Sequence, residues 1–204
     1  MIAGNIYGVV LNDATEREAL GAALTEKPYG APPMAPVVYQ KPLASIARGA
    51  VTVPEGGLVA ATTVAVLFAR DVCRITPDEV QGSIGAAALA IDFSTPNSSY
   101  YRPAIAHRNA DGRLVLGDFA AFAMPESIAL LIDDNVAHEW PTDRLVRGAV
   151  QLISDLSQYM TLLAGDVLMI GLPGDAALIS GGQTLAVIGG PLPPTYTITT
   201  GAKA

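Results

Sequence analysis

The chemistry available to this chain centres on one carboxylate, that of Asp92, which ends a long apolar stretch. An ionised carboxylate in apolar surroundings needs a metal ion, a cationic side chain or backbone N–H groups as its partner. Lys41, Arg102 and Arg108 are the basic residues that we consider as its neighbours. A structural role is also open, because Asp92 could cap the turn that begins at residues 94–95.

The sequence motifs of several common enzyme classes are missing from the chain. There is no Walker A loop, GxGxxG turn, CxxC pair, HExxH helix or GxSxG elbow. These absences argue against the usual nucleotide, zinc and serine-hydrolase sites. His107 and His138 belong to no metal-ligand pattern, so we interpret both as surface or interface residues.

The elements that must position the candidate carboxylate lie in the nearly uncharged stretch 58–93. Residues 59–68 are an unbroken apolar and β-branched run, which predicts a strand covered on both faces. Residues 76–79, Thr-Pro-Asp-Glu, combine an N-cap, a proline in the first turn and a capping-box glutamate, and predict a helix start. The small residues 82–90 would let this helix lie close to a sheet, and 90–93 would then form a short strand.

Further elements flank this stretch on both sides. Helices are predicted from 15 to about 24 and, capped by Thr142, from 143 to about 160. The proline-rich segment 27–36 and the long segment 94–113 show no regular pattern. Strands are predicted at 6–11, 37–41, 51–53, 127–133, 136–140, 167–171, 184–188 and 196–200. Because strands and helices do not alternate regularly, the predicted fold class is α+β and β-rich rather than a doubly wound sheet.

Composition limits the classes of partner. The chain has 204 residues, 50% hydrophobic and 15% charged, which predicts a single domain over 1–204 with a substantial core. Its net charge of −7, with only 12 Lys and Arg residues, argues against nucleic-acid binding. No leader pattern and no apolar run of about 18 residues is present, so a cytoplasmic protein with no membrane partner is expected.

The order of landmarks along the chain resembles the fumarylacetoacetate hydrolase family. These landmarks are Lys41-Pro42, the strand at 59–69, Ile91-Asp92, residues 108–111, Gly165-Asp166 and Gly171-Leu172-Pro173. Within the family, four segments resemble the amino-terminal half of the tandem decarboxylase/isomerases of 4-hydroxyphenylacetate (homoprotocatechuate) degradation. They are PYGAPP (28–33), YYRPAIA (100–106), HEW (138–140) and QLISDLS (151–157). The resemblance spans residues 6–198 and rests on order and spacing.

The resemblance implies a mixed β-sheet roll with small flanking helices. It also implies a divalent cation, held by three carboxylates, that stabilises the enolate of a 2-oxo acid. The family's Glu-x-Glu pair falls on Ala61 and Thr63, and its third acid falls on Asp92. With one of three acids retained, no metal or other cofactor is expected in this chain. The family's histidine-containing NYxxH stretch corresponds to residues 12–16, which contain no histidine, and the threonine of its Gly-Thr-Pro turn is replaced by Leu172.

The candidate site residues are therefore Lys41, Asp92, Arg108 and Asp111, as a remnant of the family pocket. By resemblance, we expect a subunit of a decarboxylase/isomerase that acts on small 2-oxo-diacid intermediates. The expected partner is a metal-bearing family-like subunit that supplies Mg²⁺ or Mn²⁺, or a second copy of the chain. Two alternatives remain open: a non-catalytic scaffold or regulatory homologue, and a stand-alone hydrolase or isomerase of a 2-oxo acid.

Overall fold

Short strands dominate the computed structural model, which describes residues 4–97 and 105–201. The strands are β1 (Ile6–Val10), β2 (Val37–Lys41), β3 (Val51–Val53), β4 (Leu58–Phe68), β5 (Ile84–Ser94), β6 (Leu114–Leu116), β7 (Ser127–Ile132), β8 (Asn135–Pro141), β9 (Val167–Met169), β10 (Ala177–Ile179), β11 (Thr184–Gly189) and β12 (Leu192–Gly201). The α-helices are α1 (Ala14–Leu20), α2 (Pro77–Val80), α3 (Ile105–Arg108) and α4 (Ala149–Ser157). None of these helices is long and apolar enough to cross a membrane.

The strands form two sheets across the described ranges. The larger sheet has the order β2-β1-β9-β4-β5-β6, and β10 pairs with β4 outside this path. The smaller sheet has the order β3-β12-β11-β7-β8. Each is mixed, because β1 runs parallel to β9 and β12 runs parallel to β3, whereas the other pairs are antiparallel. The predicted β-rich α+β fold with small flanking helices is thus confirmed.

The main hydrophobic core fills the space between the two sheets. Leu89, Ile91 and Phe93 of β5 contribute to it from one side, and Leu130 and Val187 from the other. All five are fully buried, and each such side chain stabilises the fold by about 1.5–3 kcal/mol relative to an exposed one. Since side chains alternate along a strand, the even-numbered residues of β5 face the opposite side of the sheet. Asp92 is among them.

The predicted helix over residues 82–90 is wrong. The capping box of Thr76 and Glu79 is present, but the helix that it begins ends at Val80 and is followed by a 3-10 turn over 81–83. Residues 84–94 form a strand instead, paired with β4 along nearly its whole length. The helix preference of alanine is a weak effect. Pairing with β4 and burial of the side chains on both faces of the strand override it here.

Two helix starts also differ from the prediction. The helix predicted from residue 15 begins at Ala14, because the carboxylate of Asp13 caps it by accepting the N–H of Glu16. The helix predicted from residue 143 begins at Ala149, because 142–144 form a separate 3-10 turn. The three-residue strands β6 and β10 were not predicted, since runs this short carry too little periodicity to be recognised. The proline-rich segment 27–36 contains no helix or strand, as predicted.

The larger sheet is curled, which brings distant strands together. β1, β9 and β4 lie between β2 and β5, so a flat sheet would separate β2 from β5 by about four strand spacings, or about 19 Å. Nevertheless, Lys41 of β2 and Asp92 of β5 are in contact, with Nζ 3.0 Å from Oδ1. Gly8 permits part of this closure, because a Cβ on it would lie 2.1 Å from the Tyr39 ring.

A charged network fastens the 172–176 loop to the start of α1. Asp13 is fully buried and accepts hydrogen bonds from Trp140 Nε1 (2.7 Å) and Arg144 NH2 (2.8 Å). The Arg144 guanidinium also binds both carboxylate oxygens of Asp175, at 2.9 and 3.1 Å. His138 Nε2 lies 3.0 Å from Asp175 Oδ1. The loop and the helix start are therefore held by one arginine fork.

We expect this network to make the free energy of unfolding depend on pH in the acidic range. Hydrogen bonds from Arg144 lower the pKa of Asp175 from 3.8 to about 2, with a smaller contribution from His138. Because the folded pKa lies below the unfolded one, the stabilisation is present above pH about 4 and is lost as the pH falls towards about 2. Half of the Asp175 side chain is exposed, so its size should be about 1 kcal/mol or less.

Chemical denaturation of Asp175→Asn across this pH range measures the effect. The variant should be slightly less stable than the wild type at neutral pH. Near pH 2 the difference in free energy of unfolding should fall to about 0.3 kcal/mol or less. Asp134→Asn, at an exposed hairpin position, is the control and should leave the pH profile unchanged. A difference that persists undiminished at low pH would contradict the assignment.

Candidate functional site

The candidate site is built around a buried ion pair between β2 and β5. The side chains of Lys41 and Asp92 are both 0% exposed, and Lys41 Nζ lies 3.0 Å from Asp92 Oδ1. The ammonium group also donates hydrogen bonds to the carbonyl oxygens of Arg108 and, at 3.2 Å, Arg113. Of the partners that the sequence leaves open for Asp92, a metal ion, a cationic side chain or backbone N–H groups, the structure supplies a lysine, and the segment that follows β5 is tied to the same ammonium.

Tyr39 and Arg108 complete this cluster on the other carboxylate oxygen. Tyr39 donates its phenolic O–H to Asp92 Oδ2, and Arg108 NH1 lies 3.6 Å from the same atom. The Arg108 guanidinium stacks over the Tyr39 ring, 5.2 Å from its centroid. Such cation–π contacts hold an arginine in a fixed orientation. The cluster thus presents a positioned guanidinium rather than a flexible one.

Positive charge exceeds negative charge around Asp92. Burial lowers the pKa of Lys41, and Arg108 and Arg113 lower it further, whereas Asp92 opposes this shift. Lys41 and Arg108 therefore pair with one buried carboxylate, and Arg113 adds positive charge near Lys41. The segments outside the described ranges contain no Asp or Glu that could add negative charge. This balance favours an anionic ligand over a cationic one.

The residues around Asp92 do not fit a divalent metal ion. Mg²⁺ and Mn²⁺ prefer several oxygen ligands, but Asp92 is paired directly across the strands with Ala61, and the neighbouring Ala90 with Thr63. Both oxygens of Asp92 already face Lys41, Tyr39 or Arg108. Within 4–97 and 105–201, no group of three His, Cys, Asp or Glu side chains is arranged to hold a metal.

The other residues singled out from the sequence do not join the Lys41–Asp92 cluster in the described residues, or lie outside those residues. Asp111 is exposed in the turn that precedes Gly112, and no ion pair joins it to the cluster in the described residues. Arg102 lies outside the described residues. His107 bonds Thr95 Oγ1 through Nδ1 and is half-buried, and His138 belongs to the Asp175 network.

A pocket of about 150 Å³ adjoins the cluster. Arg108 and Ala61 belong to its wall, which connects it to Asp92. The rest of the wall comes from α1, β4, the segment after β5 and the 172–176 loop. The lining residues are Glu16, Val59, Ala61, Ser94, Asn97, His107, Arg108, Leu172, Pro173, Gly174 and Ala176.

Glu16 is the pocket residue that sequence reasoning missed. Its side chain is buried, and Oε2 accepts the N–H of Leu11 at 2.8 Å. Leu11 has a positive φ of 58°, a conformation that costs free energy in a non-glycine residue, and this hydrogen bond supports it. Gly174 packs on the helix so closely that a Cβ there would lie 2.5 Å from Glu16 Cβ. The signal was available, because Glu16 takes the position of the histidine in the NYxxH pattern.

Comparison with known proteins identifies relatives over most of the chain. The family described as "Fumarylacetoacetate (FAA) hydrolase C-terminal" matches residues 5–195. The "4-hydroxyphenylacetate degradation bifunctional isomerase/decarboxylase" of Salmonella dublin is 31% identical over 93% of this chain and 46% of its own length. The "Homoprotocatechuate catabolism bifunctional isomerase/decarboxylase" of Escherichia coli is 31% identical over 94% of this chain and 46% of its own length. The chain thus spans about half the length of these curated relatives.

Solved structures share the fold at lower identity. The 5-carboxymethyl-2-hydroxymuconate delta-isomerase of Mycobacterium smegmatis superposes with a TM-score of 0.81 at 19% identity, over 100% of this chain and 81% of that one. The fumarylpyruvate hydrolase of Pseudomonas aeruginosa, solved in complex with Mn²⁺ and pyruvate, gives 0.80 at 16% identity, over 98% and 90%. The family match and the 31% identity agree with this shared fold. This chain belongs to the fumarylacetoacetate hydrolase family.

Proposed function

We propose that this chain is a metal-free subunit of a decarboxylase/isomerase that acts on 2-oxo-diacid intermediates of 4-hydroxyphenylacetate degradation. In this proposal a metal-bearing family-like subunit supplies Mg²⁺ or Mn²⁺, and Ala61 and Thr63 occupy the positions of the lost Glu-x-Glu pair. The observation that carries the proposal is the 31% identity to bifunctional isomerase/decarboxylases, over 93% of this chain. A cytoplasmic location accords with this role.

The site geometry supports an anionic substrate. Lys41, Arg108 and Arg113 outnumber the two carboxylates of Asp92 and the pocket-lining Glu16, so the pocket favours a ligand with negative charge. The same geometry argues against metal chelation by this chain, since Ala61 faces Asp92 across the strand pair. Decarboxylation through a metal-stabilised enolate then requires carboxylates from another subunit.

The decisive experiment compares the chain alone with the chain co-produced with a metal-bearing family member from the same gene neighbourhood. We expect turnover of 5-carboxymethyl-2-oxo-hex-3-ene-1,7-dioate by the complex only. Turnover by the partner alone at the same rate would favour a non-catalytic scaffold. Full turnover by the isolated chain would indicate a stand-alone enzyme.

An apolar face on the smaller sheet supports association with a partner. Tyr196, Ile198, Ile188 and Val136 are exposed large hydrophobic residues. Strand register places them on one face, because Tyr196 pairs with Ala186, Ile198 with Thr184, Ile188 with Ala129, and Val136 with Leu131, which itself neighbours Ala186. We call this set the outer sheet face. Burial of such a face drives association.

The first prediction of the proposed function concerns metal affinity. Titration calorimetry on the metal-stripped chain should show no Mg²⁺ or Mn²⁺ binding tighter than a Kd of about 0.1 mM, because one carboxylate flanked by cations cannot replace several oxygen ligands. The metal-bearing partner, titrated in parallel, is the positive control. Stoichiometric binding of Mg²⁺ or Mn²⁺ by this chain with a micromolar Kd would contradict the proposal that it is metal-free.

The second prediction concerns association. Sedimentation at micromolar concentration should show a dimer, homomeric for the chain alone and heteromeric with the partner. Obligate interfaces bury roughly 2,000 Å² or more, which keeps such dimers intact at this concentration. Ile198→Glu on the outer sheet face should shift this equilibrium towards monomer. Tyr159→Glu, at an exposed apolar position outside that face, should not. A wild-type monomer under both conditions would count decisively against the subunit role.

The third prediction separates a structural from a catalytic Asp92. Asp92→Asn leaves the Lys41 ammonium buried without its counter-charge, which should destabilise the fold by about 3–5 kcal/mol. Turnover of the folded complex should change by less than about tenfold, or 1.4 kcal/mol of barrier. Thermal melting and turnover are measured on the same preparation.

Asp111→Asn is the matched control for this experiment. Its carboxylate is exposed and outside the cluster, so both melting temperature and turnover should stay at wild-type values. Normal folding of Asp92→Asn with a loss of turnover of about 100-fold or more, about 2.7 kcal/mol of barrier, would instead assign a catalytic role to Asp92.

A further inference from the structure

We propose that the outer sheet face selects a protein partner whose docking surface is apolar at its centre and carries lysine or arginine at its rim, in preference to a second copy of this chain. The proposal deepens the proposed function, because it states the chemistry that the partner's surface must have. It rests on the proposed function only for the identity of that partner as a metal-bearing family-like subunit. The face itself is defined by its exposed hydrophobic residues and by the acids beside them.

One acid lies on the same face as the hydrophobic residues. Glu139 of β8 is exposed and pairs across the strands with Ala129, which in turn pairs with Ile188. Residues directly opposite each other in neighbouring strands project from the same side of a sheet. The Glu139 side chain therefore projects from the outer sheet face, about two strand spacings, or about 10 Å, from Ile188.

A second acid lies on the other side of the Tyr196 row. Asp133 is exposed in the turn between β7 and β8, and its Oδ1 accepts the N–H of Thr184 at 2.8 Å. Thr184 pairs with Ile198, so this hydrogen bond fixes the carboxylate at the edge of the face. Neither acid takes part in an ion pair within residues 4–97 and 105–201.

The smaller sheet has no positive charge that could balance these acids. Its strands β3, β7, β8, β11 and β12 contain no lysine or arginine, and residues 114–143 contain six Asp and Glu but no Lys or Arg. Arg113 reaches the carbonyl oxygen of Thr52 on β3, at the edge of the sheet opposite to β8. Lys203 lies outside the described residues. Two copies of the face therefore bring together carboxylates that the face itself cannot neutralise.

A partner with basic side chains at these positions would turn the same carboxylates into attractive contacts. Opposite charges across an interface attract and like charges repel, and this difference decides between competing partners. Tyr196 provides an anchor at the centre of the face, because tyrosine is enriched among the residues that contribute most to binding and its ring attracts cations. The homodimer expected for the chain alone is then the weaker of the two assemblies.

A charge-reversed copy of the chain serves as the basic partner in the test. It carries Glu139→Lys, which places an ammonium group on the face. It also carries Asp133→Asn, which removes the charge but keeps an oxygen that can accept the Thr184 N–H. Asparagine tolerates the positive φ of 50° at residue 133. The wild type is labelled at Cys73, its single cysteine, which is exposed outside the smaller sheet.

Sedimentation of the labelled wild type measures the Kd of the homodimer and of the mixed dimer. In about 0.1 M salt the mixed dimer should have a Kd at least about tenfold below that of the wild-type homodimer. In about 1 M salt this ratio should fall below about threefold, because the Debye length shortens from about 10 Å to about 3 Å. Ile198→Glu, added to the charge-reversed copy, should prevent the mixed dimer by removing part of the apolar centre.

The matched control is the double variant Glu18→Lys with Asp78→Asn. It makes the same change in net charge at two exposed positions on α1 and α2, outside the smaller sheet. Because distant charges are screened, its mixed dimer with the wild type should have a Kd within about threefold of the homodimer value. Thermal melting checks that both double variants are folded.

Glu139→Gln gives a second reading that needs no charge reversal. It removes one like charge from each copy, so its own homodimer should be at least about threefold tighter than the wild-type homodimer in about 0.1 M salt. Absence of a mixed dimer, a mixed dimer no tighter than the homodimer, a preference that persists in about 1 M salt, or no effect of Glu139→Gln would overturn the proposal.

This test needs no metal-bearing subunit, so its result is separate from that of the proposed function. A preference for the charge-reversed copy, with no turnover by any complex, would support the selective face and contradict the subunit role. Turnover by the complex, with no preference for the charge-reversed copy, would support the subunit role and overturn the selection by charge.

Discussion

The buried pair of Lys41 and Asp92 is the interaction on which the candidate site depends. It joins β2 to β5, strands that lie four positions apart in the sheet order, and so it fixes the curl of the larger sheet. A buried ion pair contributes little net stability, but removal of one partner leaves an uncompensated charge at a large cost. The pair therefore acts more as a constraint on geometry than as a source of stability.

That constraint determines which chemistry the site can support. In a site of this fold with three carboxylates, a divalent cation would neutralise the acids; here an ammonium and a guanidinium neutralise the single acid, Asp92. A metal ion and a lysine ammonium can each offset the free-energy cost of burying a carboxylate. Cations that are covalently part of the chain cannot chelate a 2-oxo acid, but they can hold an anion and stabilise an enolate. This difference is the reason that the proposed function assigns metal chemistry to another subunit.

The surroundings of the pocket show how the fold holds flexible segments in place. Arg144 binds Asp13 at the start of α1 and Asp175 in the 172–176 loop, so one guanidinium positions two walls of the pocket. Glu16 and Gly174 meet between them. A loop can line a site only when such contacts offset its conformational entropy. The charged network thus holds two walls of the pocket in place.

The sequence by itself determined the family, the β-rich α+β class, the strand over residues 59–68 and the need of Asp92 for a metal ion, a cation or backbone N–H groups as its partner. These follow from local pattern, landmark order and the desolvation cost of one carboxylate. Only the tertiary structure decided that residues 84–94 form a strand rather than a helix, because pairing with β4 outweighs alanine's helix preference. It also decided that Lys41 is the partner, that Asp111 is not part of the cluster, and that Glu16 reaches the pocket. Those contacts join residues far apart in sequence through the curl of a sheet, which no local pattern encodes.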